Sequence, residues 1–183
     1  MIYIVRHGET NWNVQNRYQG RTNIPLNENG YKQAIESHEK VKDVHFDVVI
    51  SSPLDRALIT ASIISGFDKE DIIKDDRLLE RAYGSWEGKK KDEIEELRKI
   101  KGAEDEAGVE RLDDIKVRVK DFFDEITEKY KDKNVLVATH AVVTLFGRYY
   151  FEGEKDPKEA HKYILGNAEI ISYETPKIKA LKK

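Results

Sequence analysis

Ile2-Tyr3-Ile4-Val5-Arg6-His7-Gly8-Glu9-Thr10 joins four consecutive apolar residues to a cluster of polar and charged ones. A run that is apolar at every position, rather than at alternate ones, suits a strand buried on both faces, as in a parallel sheet covered by helices. Val48-Val49-Ile50 and Val135-Leu136-Val137-Ala138 repeat the pattern, whereas Glu169-Ile170-Ile171-Ser172-Tyr173 mixes polar with apolar residues and reads as an edge or late strand. Between these runs Leu54, Ala57, Leu58, Ala61 and Ile64 recur at helical spacing, with Ser52 as the expected cap and Pro53 at the first helical position. Leu112, Ile115, Val119, Phe122, Ile126 and Tyr130 form a longer amphipathic stripe, and shorter helices are predicted over 30–41 and 141–150. Strands separated by helices imply βαβ crossovers and an α/β three-layer sandwich, with a mostly parallel central sheet flanked by helices. Residues 81–108 are irregular and highly charged, with Ile94, Leu97 and Ile100 hinting at one helix. They read as a small cap segment inserted within a single domain spanning 1–183.

Composition narrows the function. The 183 residues carry 32 Lys and Arg against 35 Asp and Glu, a net charge of −3, without the basic excess of a generic nucleic-acid binder. Charged residues make up 37%, against a usual value of about 25%, while 39% remain hydrophobic. Zero cysteines remove disulfides, thiolate metal sites and a cysteine nucleophile. The longest segment free of charged residues, 134–147, falls short of the about 20 apolar residues of a membrane span. No basic leader with a long apolar stretch opens the sequence, so a cytoplasmic protein is expected. The basic end at 177–183 reads as a frayed, solvated terminus.

The residues just after each buried run carry the chemistry: Arg6-His7 after the first, Ser51-Ser52-Pro53-Leu54-Asp55-Arg56 after the second, Thr139-His140-Ala141 after the third. Ligands of open α/β sheets bind beyond the carboxyl ends of the strands. Parallel neighbouring strands therefore bring Arg6, His7, Arg56 and His140 into one crevice. Two guanidiniums and two imidazoles make a pocket for a compact dianion, and phosphate fits because the planar arginine fork matches its oxygens. A histidine among fixed positive charges is held neutral, which frees one ring nitrogen as a nucleophile. The arginines would stabilise the equatorial oxygens of a phosphoryl group in transfer. The leaving oxygen needs a proton, which a partly buried carboxylic acid can hold near neutral pH.

Arg6-His7-Gly8-Glu9-Thr10-Asn11-Trp12-Asn13 resembles the signature of the histidine phosphatase superfamily, the phosphoglycerate-mutase-like proteins. Ser51-Ser52-Pro53-Leu54-Asp55-Arg56-Ala57-Leu58-Ile59-Thr60-Ala61 is similar to its second block, Leu79-Glu80-Arg81-Ala82-Tyr83-Gly84-Ser85-Trp86-Glu87-Gly88 to its third, and Ala138-Thr139-His140 to its fourth. The blocks stand in family order over nearly the whole chain. The resemblance implies that His7 becomes a phosphohistidine and that Arg6, Arg56 and His140 bind the phosphoryl group, with Asn13 adding a side-chain donor. Glu80 matches the proton donor that later activates water, and Glu87 is the rival acid on the same segment. Gln19-Gly20 resembles the loop at the pocket rim, where Gly20 offers a backbone N–H, and Glu110 resembles a position near the pocket or caps the long helix. No metal or organic cofactor is implied. Ala141 departs from the family, which usually places glycine after the second histidine. Its methyl is expected to crowd the phosphate or restrict a backbone N–H, because alanine tolerates positive φ poorly.

Three functions compete. The first is a metal-independent phosphatase hydrolysing small phosphomonoesters through a phosphohistidine on His7. The second is a phosphoglycerate mutase, and the third a non-catalytic phosphate or nucleotide sensor. Mutases of the family resemble longer chains with a substantial insertion after the third block, whereas about twenty-five residues separate Gly84 from Glu110 here. A short cap leaves a phosphohistidine open to water and favours hydrolysis. A sensor requires a lost catalytic group, and none is missing from the four blocks. The expected partner is a small phosphorylated metabolite, neither nucleic acid nor membrane. The third block is similar to that of α-ribazole-phosphate and broad-specificity sugar-phosphate phosphatases alike, so it leaves the substrate open, as the whole sequence leaves the oligomeric state.

Overall fold

A computed structural model describes residues 1–175, so the basic end at 177–183 lies outside the described residues. The strands are β1 (Ile2–Arg6), β2 (Val48–Ser51), β3 (Ile73–Lys74), β4 (Val135–Thr139) and β5 (Ile170–Tyr173), and they form one sheet in the order β3-β2-β4-β1-β5. The three continuous apolar runs are β1, β2 and β4. They are parallel neighbours with β4 in the middle, where Val137 pairs with Ile4 on one side and Ile50 on the other. Every residue of β4 is buried, as a strand covered on both faces must be. β5 lies antiparallel to β1 at one edge, in keeping with its mixed composition. The two-residue β3 at the opposite edge shows no period that could announce it, and both its residues are exposed.

The helices are α1 (Asn11–Val14), α2 (Glu28–Val41), α3 (Asp55–Ser65), α4 (Lys91–Leu97), α5 (Ala103–Ala107), α6 (Leu112–Lys129) and α7 (Ala141–Glu152). Alternate residues of the strands face alternate layers. Ile2, Ile4, Val135 and Val137 pack with Val119, Phe122, Phe123 and Ile126 of α6 and Val143 of α7. Val5, Val49, Leu136 and Ala138 pack on the opposite face with Val41 of α2 and Leu58, Ala61 and Ile64 of α3. This is the expected sandwich. Among the described residues no helix is long and apolar enough to cross a membrane.

Two local expectations are corrected. The third helix begins at Asp55 rather than Pro53, with Leu54 extended before it and no side-chain cap. Ser52 is engaged elsewhere. Within 81–108, α4 stops at Leu97, which leaves Ile100 exposed instead of completing the stripe. The segment is nevertheless ordered around its own small core of Tyr83, Trp86, Ile94, Ala107 and Val109, joined by Tyr18.

The loop leaving β1 is set by backbone packing. A Cβ on Gly8 would run into the carbonyl of Gly30, and one on Gly30 into the backbone of Glu9. The first turn of α2 therefore sits directly on the chain just beyond His7, and Asn27, its cap, donates its N–H to Glu9 O at 2.9 Å. Helix propensity alone favours alanine over glycine by about 1 kcal/mol. The clash at Gly30 is with backbone, which cannot rotate away, so Gly30→Ala should destabilise by about 1–3 kcal/mol. Urea unfolding measures this directly; an unchanged or higher midpoint would contradict the packing account.

Candidate active site

Beyond the carboxyl ends of β1, β2 and β4 the structure brings together the four residues expected there. The rings of His7 and His140 lie 5.2 Å apart between centroids, tilted by 57°. His7 is held by its backbone: its N–H donates to Thr139 O at 2.9 Å, and its carbonyl accepts from Ala168 N at 3.2 Å and Asn167 Nδ2 at 3.1 Å. Its Nδ1 lies 2.7 Å from Gly8 O. A carbonyl only accepts, so Nδ1 carries the hydrogen and Nε2 keeps its lone pair. Burial first, then the charges of Arg56 and Arg6, hold the ring well below the usual pKa of 6.5. His7 is a neutral imidazole with a free nucleophilic nitrogen.

His140 is fully buried, and its pKa is likewise driven well down by burial and by Arg56. Its Nε2 meets Ser52 Oγ at 2.8 Å, which is where the expected helix cap is spent. Ser52 Oγ also accepts the Leu54 N–H at 3.4 Å and keeps one hydrogen to give; in the tautomer where it gives that hydrogen to Nε2, the imidazole proton sits on Nδ1.

Both arginines are pinned by carbonyls. Arg56 donates from Nη1 to Thr22 O at 2.8 Å and from Nη2 to Gly20 O at 2.7 Å, while Arg6 Nη1 donates to Leu165 O at 2.9 Å. Burial pulls Arg56 down to about 10, which still leaves it charged at neutral pH. Among the described residues six buried side-chain polar atoms lack a hydrogen-bond partner, and four of them are Arg6 Nε, Arg56 Nε, His140 Nδ1 and Gln19 Oε1. Such atoms are rare enough that three of them on the neighbouring Arg6, Arg56 and His140 call for an explanation.

Asn13 closes a capping box on α1, its Oδ1 accepting the Thr10 N–H at 3.0 Å, which leaves its Nδ2 as the half-buried donor. Gly20 contributes its carbonyl, which holds Arg56 Nη2. Ala141 opens α7 with ordinary helical geometry; among the described residues only Asn16 and Ala168 are non-glycine residues with positive φ. The strain expected of alanine there is absent.

Glu80 is buried, and its Oε1 accepts the Arg81 N–H at 2.9 Å and the Val142 N–H at 3.2 Å, the latter at the start of α7 where the helix dipole favours a carboxylate. Burial raises its pKa above the usual 4.5 against the pull of these donors and of Arg56 and Arg6. Glu87 is instead committed to four donors: Arg21 N, Tyr83 N, Thr22 N and Thr22 Oγ1. Glu110 caps nothing, since the long helix has no side-chain cap. It pairs with Arg118 at 2.9 Å and Arg21 at 3.3 Å and accepts the Ala82 N–H. Sequence reasoning misses Arg118, Asn167 and Ala168. Gly166-Asn167, a turn-forming pair before β5, is the available signal for the last two.

The family model of the histidine phosphatase superfamily (branch 1) matches residues 2–179, and the chain belongs to this superfamily. It is 38% identical over 139 residues to the uncharacterized phosphatase PhoE of Bacillus subtilis, covering 76% of this chain and 70% of that one. Phosphoserine phosphatase 1 of Hydrogenobacter thermophilus is 34% identical over 153 residues, 77% of this chain and 71% of its own. The structure of an Entamoeba histolytica phosphoserine phosphatase mutant in complex with phosphoserine superposes with a TM-score of 0.77 at 29% identity, covering 92% and 87% of the two chains. Proteins named as probable phosphoglycerate mutases match over 47–52% of this chain.

The two buried histidines make stability depend on pH. Below about pH 6.5 the unfolded chain takes up two protons that the buried native rings refuse. Their contribution is therefore full above 6.5 and is lost as pH falls, by up to about 1.4 kcal/mol per pH unit for each ring. The raised Glu80 works in the opposite sense with one proton, so the net direction stands. Urea unfolding between pH 7 and 5.5 should show falling stability, with a shallower slope in His140→Asn; equal slopes would mean that His140 is not buried neutral.

Proposed function

We propose that the protein hydrolyses small phosphomonoesters without a metal, through a phosphohistidine on His7, acting as one domain whose residues 81–108 cap the site. One observation carries this reading: Arg6 Nε, Arg56 Nε and His140 Nδ1, the last a donor in the tautomer that accepts from Ser52, are left without partners on the residues beside a histidine whose Nε2 lone pair is free. A phosphoryl group satisfies all three donors with its oxygens. Nε2 attacks phosphorus, the bond to the ester oxygen breaks, and Glu80 gives that oxygen its proton. Glu80, now a carboxylate, takes a proton from water. The hydroxyl attacks phosphorus, and the P–N electron pair returns to Nε2. Asn13 Nδ2 and Gln19 border the pocket as further contacts to substrate, and Ala141 beside His140 presents backbone there.

Hydrolysis is preferred to mutase chemistry for two reasons. Two relatives with phosphatase names match over about 70% of their own length, against 40–44% for the sequences named as probable mutases. The cap is also short, which leaves the phosphohistidine open to water. The substrate class fits a small phosphorylated metabolite, as the Entamoeba relative in its complex with phosphoserine illustrates.

An aryl phosphate assayed in EDTA should be hydrolysed, and purified, folded His7→Ala should not turn it over. Activity lost to EDTA, or kept in the variant, would sink the reading. On 3-phosphoglycerate, rapid formation of 2-phosphoglycerate with little free phosphate would make the protein a mutase. Glu80→Gln should lose about 10²–10⁴-fold for an alkyl phosphate, whose leaving group needs protonation, and much less for an aryl phosphate. Equal losses would remove Glu80 as the acid.

A further inference from the structure

The mechanism leaves Glu87 unused, yet its carboxylate accepts more hydrogen bonds than that of Glu80. Residues 16–22 and 83–91 form one body. Tyr18 N donates to Lys89 O at 3.0 Å, Gly88 N to Tyr18 O at 2.8 Å, and Lys91 N to Asn16 O at 2.9 Å. The Tyr18 and Tyr83 rings meet edge-on with centroids 4.4 Å apart. Arg56 belongs to a different body, α3, but both carbonyls that orient its guanidinium come from this one.

The link runs through a single peptide group. Gly20 C=O and Arg21 N–H belong to the same peptide unit and point in opposite directions. Arg56 Nη2 donates to that carbonyl at 2.7 Å, while Glu87 Oε1 accepts that N–H at 3.0 Å. The carboxylate, the peptide and the guanidinium thus form a chain of polarised hydrogen bonds, each strengthening the next. Glu87 Oε2 holds the neighbouring Thr22 N–H at 2.9 Å, and Thr22 O is the second acceptor for Arg56. The chain also accounts for Gly20, whose φ is +51° and at which a Cβ would run into the Glu87 carboxylate.

The geometry points to Glu87 as a positioning residue: acting through the Gly20–Arg21 peptide, it aims the Arg56 guanidinium at the phosphoryl group and couples that arginine to the cap. The inference rests on the phosphoryl site proposed above.

A double-mutant cycle tests it, with kcat/KM and the inhibition constant of orthovanadate measured for the wild type, Glu87→Ala, Arg56→Ala and the double variant. Misplacing a catalytic contact by about 1 Å costs about 10²-fold, and Glu87→Ala should lose about that much in both quantities. The loss should be equal for aryl and alkyl phosphates, with the limbs of the pH profile unmoved. In the Arg56→Ala background the same change should cost less than about twofold, because sites acting as one unit are not additive. Glu87→Gln, which keeps one accepting oxygen, should fall between, and it carries the cycle if the alanine variant does not fold. Additive losses would overturn the inference, since a merely structural role predicts them. A loss confined to alkyl phosphates would also overturn it and make Glu87 the acid. If the wild type neither binds orthovanadate nor hydrolyses phosphomonoesters, the phosphoryl site falls, and this inference with it.

Discussion

Two guanidinium groups buried beside two imidazoles, where three parallel strands end, are the constraint on which the rest of the structure depends. Removing a charge from water costs several kcal/mol unless hydrogen bonds replace its hydration. Arg56 recovers part of that through the carbonyls of Gly20 and Thr22, and Arg6 through Leu165 O. Neither Nε is served. An anion with several oxygens would give these groups acceptors, so that the folding energy already spent on holding the arginines serves affinity and transition-state stabilisation.

The same positive field sorts the neighbouring acids and bases. It reinforces burial, the larger cause, in keeping His7 and His140 neutral, and for His7 that is what nucleophilicity needs. It pulls Glu80 toward the carboxylate, yet burial pulls the other way and prevails. A carboxyl balanced between the two can give a proton to the leaving oxygen and then, once a phosphoryl dianion sits among the arginines and offsets their charge, take one from water. Glu87 is spent otherwise, its oxygens taken up by backbone and hydroxyl donors.

How much of the molecule is legible in its sequence depends on what kind of atom does each task. Side-chain chemistry at the ends of buried runs is readable, so spacing alone places Arg6, His7, Arg56 and His140 together, and the runs that carry them define the sheet. Tasks performed by the backbone leave little trace in residue type. The carbonyls of Gly20, Thr22 and Leu165, and the N–H of Ala168 that holds the His7 carbonyl, could belong to almost any residue. Ser52 misleads because a serine before a proline-led helical pattern is equally a cap and a histidine partner; only the long-range contact with His140 decides. Ile100 keeps the helical spacing, but the helix has already ended three residues earlier. Ala141 reads as strained only on the assumption that its backbone needs positive φ, whereas the position simply begins a helix.

The division of labour between the two bodies bears on substrate choice. Arg6, His7, Arg56 and His140 stand at strand ends and on the first turn of α3, beside the main core, whereas Glu80 leads into the segment that Tyr83, Trp86 and Ile94 anchor in a core of its own. Such a separation lets residues of the smaller core vary at little cost to the sheet, in keeping with a fold whose functions are set by sites grafted on it. The freedom has a limit. The carbonyls of Gly20 and Thr22 that hold Arg56 lie in a loop bonded to Glu87, so on the inference above a shift of the Glu87 segment would carry the guanidinium with it. Variation is therefore cheapest in α4 and α5 and in the exposed turn between them, and most costly around Tyr83, Glu87 and Gly20, where the cap meets the chemistry.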